Sequence, residues 1–561
     1  MLACTNCGGR LKFNIASQDM KCESCDSHFD PYQFKEMSYG GAEESKEYDI
    51  TVFKCPGCGG EIYSTDETAA GFCSYCGAST VLSTRLEKGV SPEYLIPFKL
   101  DKEQCKDIYA KHMKRAFFTP AKFKSRNKID GFRGIYMPYW VYDISDRERF
   151  CVKTSESHRS GDYIITDHYN NVGTLDCTYY GASYDGSSSF ADEISSEIAP
   201  YTAKNIKHFT PSFLSGFYAD IADVPSDVYV DSAKDLASTS SAKFIMEQKG
   251  IKGRSVEGGR EAIEKQLNPH IDNTHSAMFP VWFLSYRNGN RVAYATVNGE
   301  TGKVSADMPI SIGRYLLISL VVAIPLFFLL NAFVTLIPKM LCMLTAIMGL
   351  VAIILYNNEM KKILKKDTGE DDVGYMYRVE QKQKDRMKRQ QSAVFENEGG
   401  AIVVSDNDVK RAKVRAKKEK KNRKSGISLF SVVVISIIVL SFAKSFLQPL
   451  MSSFSGGSGY AIVTFVTLVI DVIIVISTFG KVKQIEDKKG IPLSLITAIA
   501  TAIMLILLVI APASDIFYYV MVIITMIAIL VNLIDLIASY NLMATRKLPQ
   551  FDRYTGGDDR A

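Results

Sequence analysis

Six long apolar runs after residue 311 restrict this chain more than any other feature of its sequence. Four of them lack charged residues, and the other two carry one aspartate each, Asp471 and Asp535. A helix of about 20 apolar residues crosses the roughly 30 Å of hydrocarbon in a bilayer. The pattern therefore predicts six membrane-spanning helices, the second of which, with 16 residues, is the shortest. The runs are Tyr315–Ile337, Leu341–Tyr356, Ile427–Ala443, Tyr460–Phe479, Ile491–Ser514 and Ile516–Ala538.

Charged segments separate these spans into three predicted hairpins, at 312–356, 427–480 and 491–540. The loop 357–426 carries 20 basic and 12 acidic residues, and the tail 541–561 adds four basic residues. Lysine and arginine are retained on the cytoplasmic side of a membrane. We therefore expect a multi-pass protein of a bacterial cell membrane, with the N-terminus, this loop and the C-terminus in the cytoplasm.

Two cysteine quartets of identical spacing lie near the N-terminus. Each has the form Cys-x2-Cys-x14-Cys-x2-Cys, and every cysteine recurs 51 positions later, which indicates a duplicated module. Four soft thiolate ligands with no open position favour structural Zn²⁺. The sequence predicts zinc ribbons at 1–35 and 50–85, with two structural Zn²⁺ ions. The predicted ligands are Cys4, Cys7, Cys22 and Cys25 in the first ribbon and Cys55, Cys58, Cys73 and Cys76 in the second.

Disulfides and a thioredoxin-like redox pair are the alternatives for these motifs. Disulfides are disfavoured in the cytoplasm, and a redox motif needs one Cys-x-x-Cys pair in a βαβ unit rather than four pairs in two hairpins. His28 follows Cys25 by three residues, but four sulfur ligands already complete the site, so we expect this histidine at the surface. The other four cysteines share no spacing and are expected to be buried apolar residues: Cys105, Cys151, Cys177 and Cys342.

The charge distribution disfavours nucleic acid as a ligand of the ribbons. Residues 1–85 contain seven basic and twelve acidic residues, whereas affinity for nucleic acid depends on cations that neutralise phosphates. Basic charge is concentrated instead at 410–424, where ten of fifteen residues are Lys or Arg. We expect this segment to set the membrane topology and to contact anionic lipid headgroups as a secondary effect. Binding of nucleic acid by a membrane-anchored protein is the third-ranked hypothesis for the function of the whole chain.

Residues 90–311 combine helical and strand patterns and predict a mixed α+β domain. Helices are expected at Asp101–Phe118 and Ser232–Lys249, and a strand at the aromatic run Arg133–Ile144. Asn288-Gly289 predicts a hairpin turn. The sequence has no phosphate loop, no HExxH motif and no GxSxG nucleophile motif, so we expect a protein that is not an enzyme.

Asp471 lies near the middle of its predicted span, where an ionisable group is costly and suggests a function. A transporter or channel with a zinc-ribbon regulatory head is therefore an alternative. Lys444 and Asp471 differ in predicted depth by about 10 Å, however, so they do not form an obvious charge pair. We favour a role for Asp471 in helix packing or as a protonated acid.

Several blocks of the first 310 residues resemble a bacterial family of membrane-associated tandem zinc-ribbon proteins. Its members are often labelled TFIIB-type zinc ribbon-containing or primosomal-helicase-like, although no helicase motif is present here. The resemblance implies eight zinc-ligating cysteines and a role as an adaptor in envelope stress. Some relatives are encoded beside flotillin-like and phage-shock-type proteins, so the expected partner is an SPFH (flotillin-like) protein. The blocks are Cys55–Gly60, Thr65–Ala70, Tyr94–Lys99, Gly134–Trp140, Phe279–Trp282 and Asn298–Lys303.

The sequence as a whole predicts an α+β multidomain protein. It would comprise two tandem Cys4 zinc ribbons, a mixed α+β cytoplasmic domain and an all-α membrane domain of six helices. The expected function is that of a zinc-binding integral membrane protein that acts as a non-enzymatic adaptor or scaffold. Six spans exceed the short membrane anchor of the family that the first 310 residues resemble.

Overall fold

Two compact units make up the computed structural model. The head unit comprises Met1–Ile318, Lys365–Lys382 and Tyr540–Ala561, and the helical unit comprises Ser319–Leu364 and Gln383–Ser539. The predicted basic segment 410–424 and the predicted span Ile427–Ala443 lie outside the described residues. The structure describes residues 3–34, 47–55, 61–64, 70–72, 79–81, 83–120, 132–220, 222–288, 291–333, 336–368, 372–377, 380–381, 458–483, 485, 490–544 and 546–547.

The strands of the described residues all belong to the head unit. In chain order they are β1 (Leu11–Asn14), β2 (Asp19–Cys22), β3 (His28–Phe29), β4 (Glu47–Lys54), β5 (Glu61–Ser64), β6 (Ala70–Phe72), β7 (Ser79–Val81), β8 (Ser83–Val90), β9 (Tyr94–Leu95), β10 (Arg133–Asp146), β11 (Arg149–Ser160), β12 (Tyr163–Thr174), β13 (Cys177–Asp185), β14 (Lys207–His208), β15 (Tyr218–Ala219), β16 (Ser255–Val256), β17 (His270–Asn288), β18 (Arg291–Asn298), β19 (Val304–Ala306) and β20 (Arg546–Lys547).

Among the described residues, four α-helices lie between strands of the head unit before β19, and five more lie between β19 and β20. The first four are α1 (Lys102–Arg115), α2 (Asp192–Ile198), α3 (Val230–Met246) and α4 (Gly259–Glu264). The others are α5 (Ile312–Phe333), α6 (Pro338–Thr368), α7 (Ser458–Val482), α8 (Ser494–Ile510) and α9 (Ile516–Ala544).

The main sheet of the head unit contains twelve strands among the described residues, in the order β14-β9-β17-β10-β15-β5-β4-β8. Strand β13 also pairs with β10, β18 pairs with β17, and β19 and β20 pair with β18. Its centre is the antiparallel pair β10–β17, which runs from Arg133 opposite Phe283 to Ser145 opposite His270 with a shift of register between Asp143 and Ile144. Tyr136 is fully buried there, as expected for an aromatic strand that packs on both faces. The predicted strand Arg133–Ile144 is confirmed.

The other local predictions for the head unit follow from turn and cap chemistry. The Asp101 carboxylate accepts a hydrogen bond from the backbone N–H of Gln104 at 2.8 Å, and the Gln104 side-chain oxygen accepts one from the backbone N–H of Asp101 at 3.0 Å. This capping box begins α1. The predicted helices at Asp101–Phe118 and Ser232–Lys249 correspond to α1 and α3. Strands β17 and β18 pair as far as Asn288 opposite Arg291, which confirms the predicted hairpin.

A long antiparallel hairpin, Arg149–Thr174, which we call the arm, projects from this core. Its strands β11 and β12 pair along twelve residues each, and β16 joins them in a separate three-stranded sheet. The base of the arm is buried through Val152, which packs with Ile245 of α3 and Ile263 of α4. Toward the tip, the side chains of both strands are exposed.

The helical unit contains the apolar helices. Among the described residues, four helical segments are long and apolar enough to cross a membrane: Ile312–Leu329, Pro338–Lys366, Gly459–Val482 and Ile516–Ala544. Helix α8, at the fifth predicted span, is apolar but has 17 residues. The shortest predicted span, Leu341–Tyr356, lies within the 31-residue helix α6, because the helix continues through the charged residues that end the apolar run. Four of the six predicted spans thus correspond to helices of sufficient length.

Candidate metal centre

Two tight turns present the four cysteines of the first quartet. Cys4 and Cys7 lie in the turn before β1, Cys22 ends β2, and Cys25 lies in the turn that leads to β3. Gly8 in the first turn has a φ of +72°, a conformation that glycine adopts without strain. The antiparallel pairing of β1 with β2, which sets Leu11 opposite Cys22, brings the two turns together.

The four sulfur atoms form a compact cluster. All four Sγ atoms lie within 4.8 Å of one another. The Sγ atoms of Cys4 and Cys25 are 3.7 Å apart, and those of Cys7 and Cys22 are 3.5 Å apart. A tetrahedral zinc ion with metal–sulfur distances of about 2.3 Å requires sulfur–sulfur distances of about 3.8 Å. The four residues therefore fit a tetrahedral metal ion, and their spacing is far too long for disulfide bonds.

Backbone amides approach three of the sulfurs, each from two residues further along the chain. Asn6 N donates to Cys4 Sγ, Gly9 N to Cys7 Sγ and Ser24 N to Cys22 Sγ, each at 3.4 Å. Such bonds offset the negative charge of thiolates and orient them toward a metal. Around the fourth sulfur, the Ser27 hydroxyl lies 3.1 Å from Cys25 Sγ.

The metal-free cluster already contains one acidic thiol. Hydrogen bonds from the Ser27 side chain and backbone lower the pKa of Cys25 to about 6. The Gly9 amide lowers the pKa of Cys7, but hydrogen bonds with the Cys25 and Cys22 thiols outweigh it and raise that pKa to about 12. A thiol must lose its proton before it binds a metal ion, so metal binding here would release protons.

The first quartet is attached firmly to the rest of the head unit. Phe13 N donates to Ser215 O at 3.1 Å, and the Ser215 hydroxyl donates to Leu11 O at 2.6 Å. The Phe13 ring packs on the Phe213 ring with centroids 5.1 Å apart. Cys4 and Cys22 are buried in the same apolar core, whereas Cys7 and Cys25 are exposed. The metal centre thus lies at the edge of a core that it shares with the main sheet.

The second quartet is described only in part. Cys55 is buried directly after β4, whereas Cys58, Cys73 and Cys76 lie outside the described residues. Strands β4 and β5 pair on either side of the first Cys-x-x-Cys motif, and β6 and β7 pair on either side of the second. Within the described residues, one four-cysteine group is present, formed by the first quartet.

The remaining cysteines and His28 lie apart from this cluster. His28 Nδ1 lies 2.8 Å from Asp19 Oδ2 at the surface, as expected for a residue that is not a ligand. Cys105 and Cys342 are buried, in agreement with the prediction, and Cys177 is partly buried. The prediction is wrong for Cys151, which is exposed because it points outward from β11, while its neighbour Val152 points into the core.

Two carboxyl groups of the head unit, on Asp185 and Asp192, lie in an environment that no sequence motif predicts. Burial raises the pKa of Asp185 well above its ordinary value and also raises the pKa of Asp192. Asp192 accepts hydrogen bonds from Val373 N at 2.7 Å and from the Tyr229 hydroxyl at 3.1 Å. No spacing rule relates these residues, which are brought together only by the packing of β13, α2 and the segment after α6.

Asp471 lies on α7 in the helical unit and is fully buried. Among the described residues, neither of its carboxylate oxygens has a hydrogen-bond partner. Asp535 differs, because its Oδ2 accepts a hydrogen bond from the Tyr356 hydroxyl at 2.5 Å. The two aspartates of the helical unit therefore differ in their environments.

Comparison with known proteins gives one informative similarity. An uncharacterized protein of Bacillus subtilis (strain 168), YdjG, is 26% identical over 321 residues, which cover 47% of this chain and 92% of that protein. No protein-family profile matches the chain. No solved structure matches it either.

Proposed function

We propose that this protein is a zinc-binding integral membrane protein that acts as a non-enzymatic adaptor at the bacterial cytoplasmic membrane. The observation that carries the proposal is the exposed apolar tip of the arm. Tyr163 and Ile164 are each more than three-quarters exposed, and Ile165 is 43% exposed. Contiguous apolar side chains on a protein surface mark sites of interaction with other proteins or with membranes.

The architecture of the arm suits a role in docking. Its base is fixed by the packing of Val152 and Leu175 against α3 and α4. Its tip turns at Gly161, which has a φ of +62°. A rigid hairpin that presents apolar side chains can bind a partner without a large loss of conformational entropy.

The four-cysteine cluster supports a structural role for the metal. All four positions of a tetrahedral ion would be occupied by sulfur, which leaves no position for a substrate or a water molecule. The cluster shares its apolar core with Phe213 and Trp282 of the head unit. Zinc would therefore stabilise the surface that presents the arm, and the apolar helices would hold this surface at the membrane.

Crosslinking of the full-length protein in its native membrane tests the adaptor proposal. Wild type is compared with a variant in which Tyr163, Ile164 and Ile165 are all replaced by serine. We expect wild type to recover a defined protein partner after affinity purification and the arm variant to lose it. An SPFH (flotillin-like) protein is the candidate suggested by the family resemblance.

The matched control removes exposed apolar side chains elsewhere on the head unit. Leu236 and Phe244 on α3 are 49% and 52% exposed, so their replacement by serine leaves the arm intact. This control variant should recover the same partner as wild type. Equal recovery by the arm variant and wild type would refute a docking role for the arm.

A further inference from the structure

The helical unit contains a buried polar strip that the adaptor proposal does not use. On α7, Thr464, Asp471 and Thr478 are fully buried. On α8, which packs against α7, the residues Ser494, Thr497 and Thr501 are fully buried at intervals of three and four positions. Side chains at these intervals lie on one face of a helix. Two apolar helices thus direct polar faces into the interior of the unit.

Asp471 lies at the middle of this strip. It is twelve residues after Gly459 and eleven before Val482, the ends of the apolar helix that contains it. At a rise of 1.5 Å per residue, it lies roughly 17 Å from either end. If α7 spans a bilayer, its carboxyl group lies near the centre of the hydrocarbon layer.

The immediate surroundings of Asp471 offer little to stabilise a negative charge. The Thr501 hydroxyl faces the carboxyl group, but it donates its hydrogen to Thr497 O at 3.1 Å. Helix α6 contributes Gly349 at this level, where an added Cβ would lie 3.2 Å from Thr497 Cγ2. An ionised carboxylate without a partner in such a place is costly, and a proton removes that cost.

Charged side chains on the packed helices lie near their ends. Lys481 on α7 donates to Asn357 Oδ1 at 2.6 Å, and Asp535 on α9 accepts from Tyr356 of α6. Lys339 begins α6 at the opposite end. Ten positions separate Asp471 from Lys481, about 15 Å along the helix. Within the described residues, no cation is therefore placed to pair with Asp471.

A metal cation fits the site less well than a proton does. Hard metal cations such as Ca²⁺ and Mg²⁺ require six or more oxygen ligands. Around Asp471 the described residues present one carboxyl group and the Thr501 hydroxyl, and Thr497 O already accepts a hydrogen bond. A proton needs only the carboxylate itself.

We propose that Asp471 is a reversible proton-binding site of the helical unit. The carboxylate takes up one proton and becomes neutral, and no other group changes its charge. The hydroxyl groups of Ser494 and Thr497 lead from the first turn of α8 toward this carboxyl group, and neither is hydrogen-bonded within the described residues. Since a hydroxyl both donates and accepts, this series can pass a proton between the end of α8 and Asp471.

Infrared difference spectroscopy of the full-length protein in lipid vesicles tests this proposal. Spectra are recorded between about pH 6 and about pH 9, a range in which an ordinary exposed carboxyl group stays ionised. We expect a band from the C=O stretch of a protonated carboxylic acid that decreases as the pH rises. Asp185 of the head unit, whose pKa is also raised, can add to this band, so the Asp471 contribution is the difference between variants. Asp471→Asn should weaken the band relative to wild type, and Asp535→Asn should leave it unchanged.

Two further measurements keep the test decisive. Asp471→Glu keeps a carboxyl group at the site and should restore the intensity that Asp471→Asn loses. A band in Asp471→Asn as strong as that of wild type would overturn the proposal. Addition of sodium ions at constant pH should leave the wild-type band unchanged. Loss of the band on addition of sodium would overturn the proposal in favour of a metal-cation site. The adaptor proposal is tested by crosslinking at the arm and does not depend on these outcomes.

Discussion

At the scale of single residues, the first cysteine quartet depends on small side chains as much as on its sulfurs. Gly9 lies against the opposite turn, where an added Cβ would be 2.5 Å from Ser24 Oγ and 3.1 Å from Cys22 Sγ. The glycine therefore permits the two turns to approach closely enough for four sulfurs to share one ion. The spacing of the cysteines predicts the ligands, and this contact explains why the neighbouring residue is small.

Replacement of Cys22 by serine should remove the metal from the first quartet. Because three sulfurs hold zinc less tightly than four, we expect the zinc content of the purified protein to fall by about one ion per chain. Elemental analysis by mass spectrometry measures this content. Cys151→Ser is the matched control, since Cys151 is exposed and lies outside the cluster. An unchanged zinc content in Cys22→Ser would contradict the assignment.

Gly9→Ala should weaken zinc binding while keeping all four ligands. The added methyl group would press on Ser24 and displace Cys22, so we expect a loss of affinity of about 10-fold to 100-fold, as for other changes beside metal ligands. Competition with a chromogenic chelator measures the affinity. Gly313→Ala serves as the control because an added Cβ there meets no atom within 4 Å. Equal affinities of the two variants would show that the turns can separate without cost.

At the scale of elements, the structure agrees best with predictions that rest on local chemistry. The capping box at Asp101 and the hairpin predicted from Asn288-Gly289 depend on residues a few positions apart; the box is present, and the hairpin strands pair up to Asn288 opposite Arg291. The position of Ser215 beside β1 could not be predicted, because it depends on a contact between residues about 200 positions apart. The buried pair of Asp185 and Asp192 escaped prediction for the same reason.

Asp185 should make the stability of the head unit depend on pH. Its pKa in the folded state lies well above its ordinary value because of burial, so the folded protein binds more protons than the unfolded protein. Stability is then lost as the pH rises from about 4, the ordinary pKa of aspartate, through the raised value. Asp185→Asn should reduce this loss, which thermal unfolding at acidic and mildly alkaline pH would reveal as a smaller difference in Tm.

The control for this pH effect is Asp176→Asn. The Asp176 side chain is 72% exposed and pairs with Arg147 at the surface, so it should contribute little to stability. This variant should keep the pH dependence of wild type. A pH dependence of Asp185→Asn as large as that of wild type would exclude Asp185 as its source.

At the scale of the whole molecule, order along the chain does not define the units. The sequence predicts cytoplasmic segments at 1–311, 357–426 and 541–561, and the head unit joins Met1–Ile318 with Lys365–Lys382 and Tyr540–Ala561, which are far apart along the chain. The charge pattern identifies these segments as polar but not where they dock. Their attachment depends on specific contacts, such as the bond from Val373 N to Asp192.

Asn541→Ala should loosen the C-terminal end of the α+β domain. The Asn541 side chain accepts a hydrogen bond from Ile310 N at 2.7 Å and donates one to Ile310 O at 2.9 Å. Loss of both bonds should destabilise the head unit by about 1–3 kcal/mol. Faster amide hydrogen exchange around Ile310 would report the change. Asn273→Ala, at an exposed position of β17, should leave exchange there unaltered.

The two cysteine quartets share one spacing but not one structural setting. The strands of the first form a separate three-stranded sheet, whereas β4 and β5 of the second continue the main sheet through β15. The two copies of the repeated spacing thus have different neighbours. A chimera that carries the first copy twice would lack the strands β4 and β5, which continue the main sheet beyond β15.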